Sequence, residues 1–214
     1  DSIYLSNRAT VAPLVLPVLP LPDPSGFAGG VELQSGQAAP HPLAMRGMPP
    51  IGRKSRKEPM GAAFFYQLTE TPLEAALPQL LARALGAGWR IAVRGRSAEF
   101  LGQLDQRLWL GPEEGFLPHG LAGGLHDAEQ PVLLTSGGEA PNGAVCVMAV
   151  ESANVSAEEV KALERVCVIF DGADQAALDH ARGQWKALTD AGCEAQYWAQ
   201  DGGRWVKKAE KAAS

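Results

Sequence analysis

The alternation of apolar segments predicts an α/β fold with a mainly parallel sheet flanked by helices. Short, almost wholly apolar runs of strand length alternate with longer segments in which apolar residues recur at helical spacing. A strand that is apolar on both sides belongs to a parallel sheet whose two faces are covered. The phosphate-binding signature GxxxxGK(S/T) does not occur, and the turn after the first strand, TETPLE, contains no glycine. The sequence therefore predicts this fold without a nucleotide-binding loop.

The segment before this pattern, residues 1–59, has no helical or strand periodicity. It is rich in Pro, Gly and Ala and ends in the basic cluster Arg53, Lys54, Arg56 and Lys57. Such a segment buries too little apolar surface to offset its chain entropy, so we expect a disordered extension followed by one domain at residues 60–214. The basic cluster suggests a nucleic-acid-binding arm. An extension that results from an upstream start is the favoured alternative.

The first half of the domain is predicted to run strand, helix, strand, helix, loop. Strands are expected at residues 62–68, which are rich in aromatic side chains, and at residues 89–93. The helix between them follows Thr71 as its N-cap, and Ser97 caps the next helix. A long loop is then predicted over residues 111–130, where Pro and Gly interrupt the pattern.

The second half of the domain continues the alternation. A short helix is predicted to begin at Ser156, and a longer one runs from Asp174 to near Gly192. The last residues, 204–211, are predicted to form a charged tail. Apolar runs of strand length occur at residues 132–134, 145–150, 166–170 and 195–198.

Charge and cysteine usage limit the function classes. The net charge is −5, of which residues 1–59 contribute +2 and the predicted domain −7, so a broad phosphate-binding surface is not expected there. Cys146, Cys167 and Cys193 lack CxxC spacing, and the first two lie in apolar runs. This pattern indicates a reducing, cytoplasmic compartment, without a metal site. Since no apolar run is long enough to span a bilayer, no membrane association is expected.

Two carboxylates follow an apolar strand in the segment FDGAD. Asp171 and Asp174 are suited to holding Mg²⁺ for phosphoryl transfer, because parallel strands place their carboxyl ends at ligand sites. A simpler interpretation is a turn in which Asp171 binds backbone amides and Asp174 caps the helix. We favour the turn, because the basic and hydroxyl partners of such an enzyme are not found.

The helix that begins at Asp174 carries two cations around an aromatic residue. Arg182, Trp185 and Lys186 are surface neighbours at i, i+3 and i+4 spacing. Such a stripe is suited to an acidic peptide with an aromatic end, since the cations pair with carboxylates and the Trp receives an apolar group. An ordinary solvated face, with Trp185 packed on Trp198 or the tail, explains the residues equally well.

Three segments together resemble the chi subunit of bacterial DNA polymerase III: FYQLTETPLE, LWLGPEEGFLPHGLAGG and FDGADQAALDHARGQWKAL. The resemblance covers residues 60–198. It implies a Rossmann-like domain without a nucleotide or other cofactor. It also implies a non-catalytic accessory subunit, which links single-stranded DNA-binding protein to the clamp loader during DNA replication. In that family the polymerase activity belongs to other subunits, and contact with DNA is indirect.

The resemblance also implies a site for the acidic, Phe-terminated C-terminal tail of single-stranded DNA-binding protein. Arg182 and Lys186 match the basic residues of that site, Trp185 takes the place of its aromatic residue, and Phe170 matches an apolar wall. One lysine of the family is replaced here by Leu178, which indicates a weaker or rearranged clamp. Two lysines of the tail segment are candidates to assist it, Lys207 and Lys208.

A second set of residues matches a stretch of the family that contributes to a protein–protein surface: Trp109, Phe116, Pro118 and His119. The usual second partner of the family is the psi subunit of the clamp loader. These residues therefore form a candidate second surface. Their alternative roles, in the tail site or in the core, stay open from the sequence.

Overall fold

The computed structural model describes residues 61–111 and 116–214. These residues form an eight-stranded sheet with four α-helices packed against it. Every strand pair is parallel except the last, in which β8 runs antiparallel to β7. The elements are β1 (Ala62–Leu68), α1 (Leu73–Gly86), β2 (Ile91–Arg94), α2 (Ala98–Trp109), β3 (His119–Leu121), β4 (Val132–Thr135), β5 (Cys146–Ala149), α3 (Ala157–Ala162), β6 (Arg165–Asp171), α4 (Gln175–Asp190), β7 (Glu194–Asp201) and β8 (Arg204–Lys211).

The sheet separates two apolar cores, because successive side chains of each strand point to opposite faces. The strand order is β3-β4-β2-β5-β6-β1-β7-β8. On one face, Phe64 and Tyr66 of β1 pack in a cluster with the buried leucines of α1 and α2. On the other face, Phe65 packs in a cluster with Val160 of α3 and Ala181 of α4. The predicted α/β class with a mainly parallel sheet is therefore confirmed.

Helix starts follow the predicted caps at three of four positions. The side chains of Ser97, Ser156 and Asp174 accept hydrogen bonds from the first-turn amides of α2, α3 and α4. The prediction of Thr71 as a cap is wrong: Pro72 precedes α1 without a side-chain cap bond. The hydroxyl of Thr71 instead accepts a hydrogen bond of 2.5 Å from the Gln200 side-chain amide.

Two segments that were predicted to be irregular are ordered as strands. The predicted loop at residues 111–130 contains β3 and a single turn of 3₁₀ helix at Asp127–Glu129. The predicted charged tail is β8, whose Trp205 is buried and packs edge-on against Tyr66 with ring centroids 5.1 Å apart. One buried aromatic side chain therefore anchors a strand that otherwise consists mostly of charged and exposed residues.

Three further expectations concern the cysteines, membrane-spanning helices and residues 1–59. All three cysteines are free thiols in buried positions. Among the described residues, no helix has both the length and the apolar character needed to cross a bilayer. The predicted extension at residues 1–59 and its basic cluster lie outside the described residues.

Candidate functional site

A cleft of about 860 Å³ opens at the carboxyl ends of β1 and β6. The chain leaves β1 through α1 on one face of the sheet and leaves β6 through α4 on the other face. This divergence is a topological switch point, where open α/β sheets usually bind ligands. The lining includes the acidic side chains Glu70, Glu74, Glu151, Asp171 and Asp174, together with Arg96 and His180.

Backbone amides that would face a phosphate in such a cleft are already bound. The Gln200 Oε1 atom accepts hydrogen bonds from the amides of Thr69, Glu70 and Thr71, at 3.0, 2.9 and 3.1 Å. Glu70 in turn accepts from the amides of Gly202 and Gly203 in the turn between β7 and β8. The backbone of the turn after β1 is therefore fixed by hydrogen bonds to the protein's own side chains, which explains why this turn contains no glycine.

Asp171 and Asp174 perform the structural roles that the simpler interpretation gives them. The Asp171 carboxylate accepts a hydrogen bond of 2.8 Å from the Ala173 amide. Asp174 accepts one of 2.8 Å from the Ala176 amide at the start of α4. Within residues 61–111 and 116–214, no group of three or more His, Cys, Asp or Glu side chains is arranged to hold a metal ion. The geometry thus favours a turn and a helix cap at these two positions.

An aromatic cluster lies under α4 on the second face of the sheet. Trp185 is half-buried and packs edge-on against Phe65 and Tyr197, with ring centroids 5.3 and 6.1 Å away. Phe170 is buried and approaches Tyr197 at 6.0 Å. These four residues, Phe65, Phe170, Trp185 and Tyr197, are called the aromatic cluster below. They combine an apolar floor with one tryptophan that remains partly open to solvent.

Two cations lie on the exposed side of α4 next to this cluster. The Arg182 Nη1 atom lies 3.1 Å from Asp179 Oδ1, and the Lys186 Nζ atom lies 2.7 Å from Asp190 Oδ2. The hydrogen bond to Asp190 raises the pKa of Lys186 above its ordinary value. Both pairs are exposed, so each contributes little stability and its cation stays accessible to another carboxylate.

Tyr197 contacts both aromatic residues that the sequence assigned to this site, Phe170 and Trp185. Its hydroxyl donates a hydrogen bond of 2.9 Å to Gln67 Oε1, and its ring lies between Phe170 and Trp185. Burial raises the pKa of the Tyr197 hydroxyl, while the positive charge of Arg182 acts against that shift. The sequence analysis placed Tyr197 in a strand but did not assign it to this site. The signal was available, because Tyr197 shares its strand parity with the core residue Ala195.

Four side chains at or near this site differ from, or refine, the sequence expectation. Trp185 does not pack on Trp198, which belongs to the core on the opposite face of the sheet. Leu178 packs against the second core, so it contributes apolar contact where the family resemblance implies a charge. Lys207 and Lys208 lie in β8 and are paired with Glu210 and Asp201.

The second predicted surface lies at the opposite end of the sheet, beside the short edge strand β3. Trp109 and Phe116 are 58% and 78% exposed, and their ring centroids are 6.0 Å apart. His119 is buried beneath Trp109, with its centroid at 4.8 Å, and its Nδ1–H donates a 2.7 Å hydrogen bond to the Leu117 carbonyl oxygen. Pro118, which lies between Phe116 and His119 in the chain, is half-buried. His119 therefore supports a surface that Trp109 and Phe116 expose.

Other large apolar side chains are exposed in the nearby sequence, at the end of α2, in β3 and in the turn that follows it: Leu110, Leu121 and Leu125. Exposed groups of large apolar residues commonly mark protein-binding surfaces, because solvation of such a group is unfavourable. The two candidate sites are thus separated: the aromatic cluster lies over β6, β1 and β7, and the second surface lies at β3.

The comparison with protein families gives one match. Residues 60–196 match the model of the family described as DNA polymerase III chi subunit, HolC. The match includes α4, the aromatic cluster except Tyr197, and the second surface, and it stops within β7. The curated proteins contain no match to the chain.

Proposed function

The chain belongs to the DNA polymerase III chi subunit family, and from that membership we propose that it is a non-catalytic adaptor in DNA replication. In this proposal α4 and the aromatic cluster bind the acidic, Phe-terminated C-terminal tail of single-stranded DNA-binding protein. The second surface at β3 binds the clamp loader through a psi subunit or its equivalent. The protein then couples DNA-bound protein to the clamp loader and contacts DNA indirectly.

The observation that carries the tail site is the pairing of exposed cations with a partly open aromatic residue on one helix face. Arg182 and Lys186 offer charge-assisted hydrogen bonds to peptide carboxylates, and Trp185 offers an apolar surface to the terminal Phe. The carboxylates of Asp179 and Asp190 are displaced at low cost, because exposed ion pairs contribute about 0–1 kcal/mol. Binding of this kind weakens as salt is added.

Fluorescence-anisotropy titration of a labelled acidic peptide ending in Ile-Pro-Phe tests this site. We expect Arg182→Ala to raise the Kd about fivefold, since the Arg182 side chain is exposed and a solvent-screened charge pair contributes up to about 1 kcal/mol. Removal of the terminal Phe is expected to abolish most of the binding. The matched control is Arg107→Ala on α2, which removes another exposed arginine, one paired with Glu74, from the opposite face. Equal losses from the two arginine variants, or no binding by the folded wild-type protein at low salt, would contradict the tail site.

The second surface is tested separately. Phe116→Asp places a charge on the most exposed ring of the pair and is expected to abolish co-purification with the psi subunit. It is expected to leave binding of the acidic peptide unchanged, because the aromatic cluster lies over different strands. Retention of the psi subunit by the Phe116→Asp variant would assign Trp109 and Phe116 another role.

A Mg²⁺-dependent phosphoryl-transfer enzyme remains the alternative. It is favoured by one observation, the acidic lining of the cleft at the switch point, which includes Asp171 and Asp174. This alternative predicts Mg²⁺ binding by calorimetry and its loss in Asp171→Asn. The adaptor proposal expects neither, because Asp171 already accepts the Ala173 amide. Heat of Mg²⁺ binding that disappears with Asp171 would favour the enzyme.

A further inference from the structure

The last strand, β8, concentrates positive charge beside the proposed tail site. Of the 19 Lys and Arg residues in the chain, six precede Met60, and four of the remaining 13 lie in the eight residues of β8: Arg204, Lys207, Lys208 and Lys211. Glu210 is the one acidic residue of the strand. β8 also lies beyond residues 60–196, the part of the chain that matches the family.

The register of β7 and β8 determines which face of the sheet each of these cations occupies. Lys211 lies opposite Ala195, whose side chain belongs to the α4 core, and Arg204 lies opposite Asp201 at the same strand parity. A bulge follows, because Tyr197 and Trp198 pair with Ala209 and Lys207 and leave Lys208 between them.

The ion pairs complete the assignment. The Lys208 Nζ atom lies 3.1 Å from Asp201, which places Lys208 on the α4 face with Arg204 and Lys211. Lys207 lies opposite Trp198, on the α1 face, and it pairs with Glu210. Three cations thus face the side of the tail site and one faces away.

The α4 face of β8 is continuous with the aromatic cluster. Tyr197 lies in contact with Trp185 and is paired across the ladder with Ala209, and adjacent strands lie about 4.8 Å apart. Between the cations, Val206 and Ala209 leave an open, shallow surface rather than a bulky barrier. An extended chain that leaves the aromatic cluster toward the sheet edge therefore passes over Lys208.

We propose that Arg204, Lys208 and Lys211 form a second segment of the peptide site. This segment binds the acidic residues that precede the aromatic end of the tail, so the inference rests on the proposed function. The argument is charge complementarity: the domain is acidic overall, yet this one face offers three cations in a row next to the site. The ion pair between Lys208 and Asp201 is exposed and is readily exchanged for a peptide carboxylate.

Lysines on an edge strand also keep it from pairing with other chains, and this role makes a different prediction. Edge protection depends on charge at the edge, whichever face the side chain occupies. Peptide binding depends on the face. The side chains of Lys207 and Lys208 are 41% and 45% exposed and each is paired with one carboxylate, so Lys207 is a control of similar exposure on the other face.

The experiment compares two peptides and three forms of the full chain: the wild type, a double variant and a single variant. One labelled peptide ends in Ile-Pro-Phe after a stretch of about six acidic residues, and the other keeps the ending but carries Ser in place of the acidic stretch. We expect the double variant Lys208→Ala, Lys211→Ala to raise the Kd of the acidic peptide about three- to tenfold at low salt, and to leave the second peptide unchanged. Lys207→Ala is expected to change neither value.

Four outcomes would overturn the inference. An effect of Lys207→Ala on the acidic peptide that equals the effect of the double variant per lysine removed would assign the lysines to edge protection or to general charge. Unchanged binding of both peptides by the double variant, with a loss in Arg182→Ala, would leave the tail site intact and exclude β8 from it. Loss of affinity for a single-stranded oligonucleotide instead of the peptide would make the strand a nucleic-acid contact. Failure of the wild-type protein to bind either peptide would overturn the proposed function as well.

Discussion

At the residue scale, the candidate site consists of side chains that pack against the sheet and that we also propose to bind the peptide. Trp185 stabilises the sheet through Phe65 and still leaves part of its ring in solvent. Tyr197 donates to Gln67, so its polar atom is satisfied while its ring forms part of the floor. A substitution here changes stability and binding together, and a test of recognition needs a readout besides affinity.

The ionisation of Tyr197 provides that readout for Arg182. Burial raises the pKa of the Tyr197 hydroxyl, and the positive charge of Arg182 lowers it by favouring the phenolate. Arg182→Ala is therefore expected to raise the pKa of Tyr197 further. An NMR pH titration of ring-labelled tyrosine measures the change, and Arg107→Ala is the control with no expected effect. An unchanged Tyr197 pKa in Arg182→Ala would mean that the guanidinium does not act on the aromatic cluster.

Two glycines near the site are expected to respond to alanine in opposite directions. A Cβ atom at Gly172 would lie 2.8 Å from the Leu68 carbonyl oxygen, a backbone atom that cannot move aside. Gly172→Ala is therefore expected to lower the free energy of unfolding by about 1–3 kcal/mol. Gly183 lies within α4 with no atom within 4 Å of such a Cβ, so Gly183→Ala is expected to raise it by about 1 kcal/mol. Urea denaturation measures both, and a stabilising Gly172→Ala would contradict the close approach.

At the element scale, an ion pair between the buried Arg94 and the partly buried Glu159 ties β2 to α3. Arg94 donates to Glu159 Oε1 at 2.6 Å and to the Gly138 carbonyl oxygen at 3.0 Å. Burial pushes the pKa of Glu159 up, but the hydrogen bonds from Arg94 and from the Ser156 amide lower it more, so the net shift is downward. The same carboxylate completes the capping box of α3. One side chain thus fixes both the start of α3 and its position on the sheet.

This arrangement predicts a specific pH dependence. Because the folded pKa of Glu159 lies below its unfolded value of about 4.3, its contribution is present above that pH and is lost as the pH falls through the folded pKa. Glu159→Gln is expected to lower the free energy of unfolding at pH 7 and to flatten its decline between about pH 5 and pH 3. Chemical denaturation across that range measures it. A decline as steep as in the wild-type protein would place the acid-sensitive group elsewhere.

The elements also differ in how far the sequence could predict them. β1, α2 and α4 follow from apolar periodicity and caps, which act locally. β8 could have been predicted from Asp-Gly-Gly-Arg, since Gly202 and Gly203 take φ values of +59° and +76°, as a two-residue hairpin turn requires. The bulge at Lys208 breaks the period-two pattern and hides the strand. β3 has three residues, too few to establish any period.

At the scale of the whole molecule, the fold separates the two proposed binding functions. The aromatic cluster lies over the β6, β1 and β7 strands, and the second surface lies at β3, the far edge of the sheet. Because several strands of the sheet lie between them, the two proposed partners would not overlap. The sequence, through the family resemblance, is the source of the residues assigned to both proposed surfaces. It did not predict their separation, because that depends on the strand order, which no local pattern encodes.

The cores and both surfaces are formed by residues 61–214, and this predicts the effect of removing residues 1–59. A chain that begins at Met60 is expected to keep the urea midpoint and the affinity for the acidic peptide, because every side chain assigned to the cores and sites follows that residue. Its net charge changes from −5 to −7, which removes the basic cluster at Arg53, Lys54, Arg56 and Lys57. Single-stranded DNA binding by both chains, measured by anisotropy in parallel, tests the alternative of a nucleic-acid arm. If the shorter chain loses DNA affinity that the full chain has, the arm contacts DNA directly; if both chains bind DNA equally weakly, DNA is reached through the partner protein.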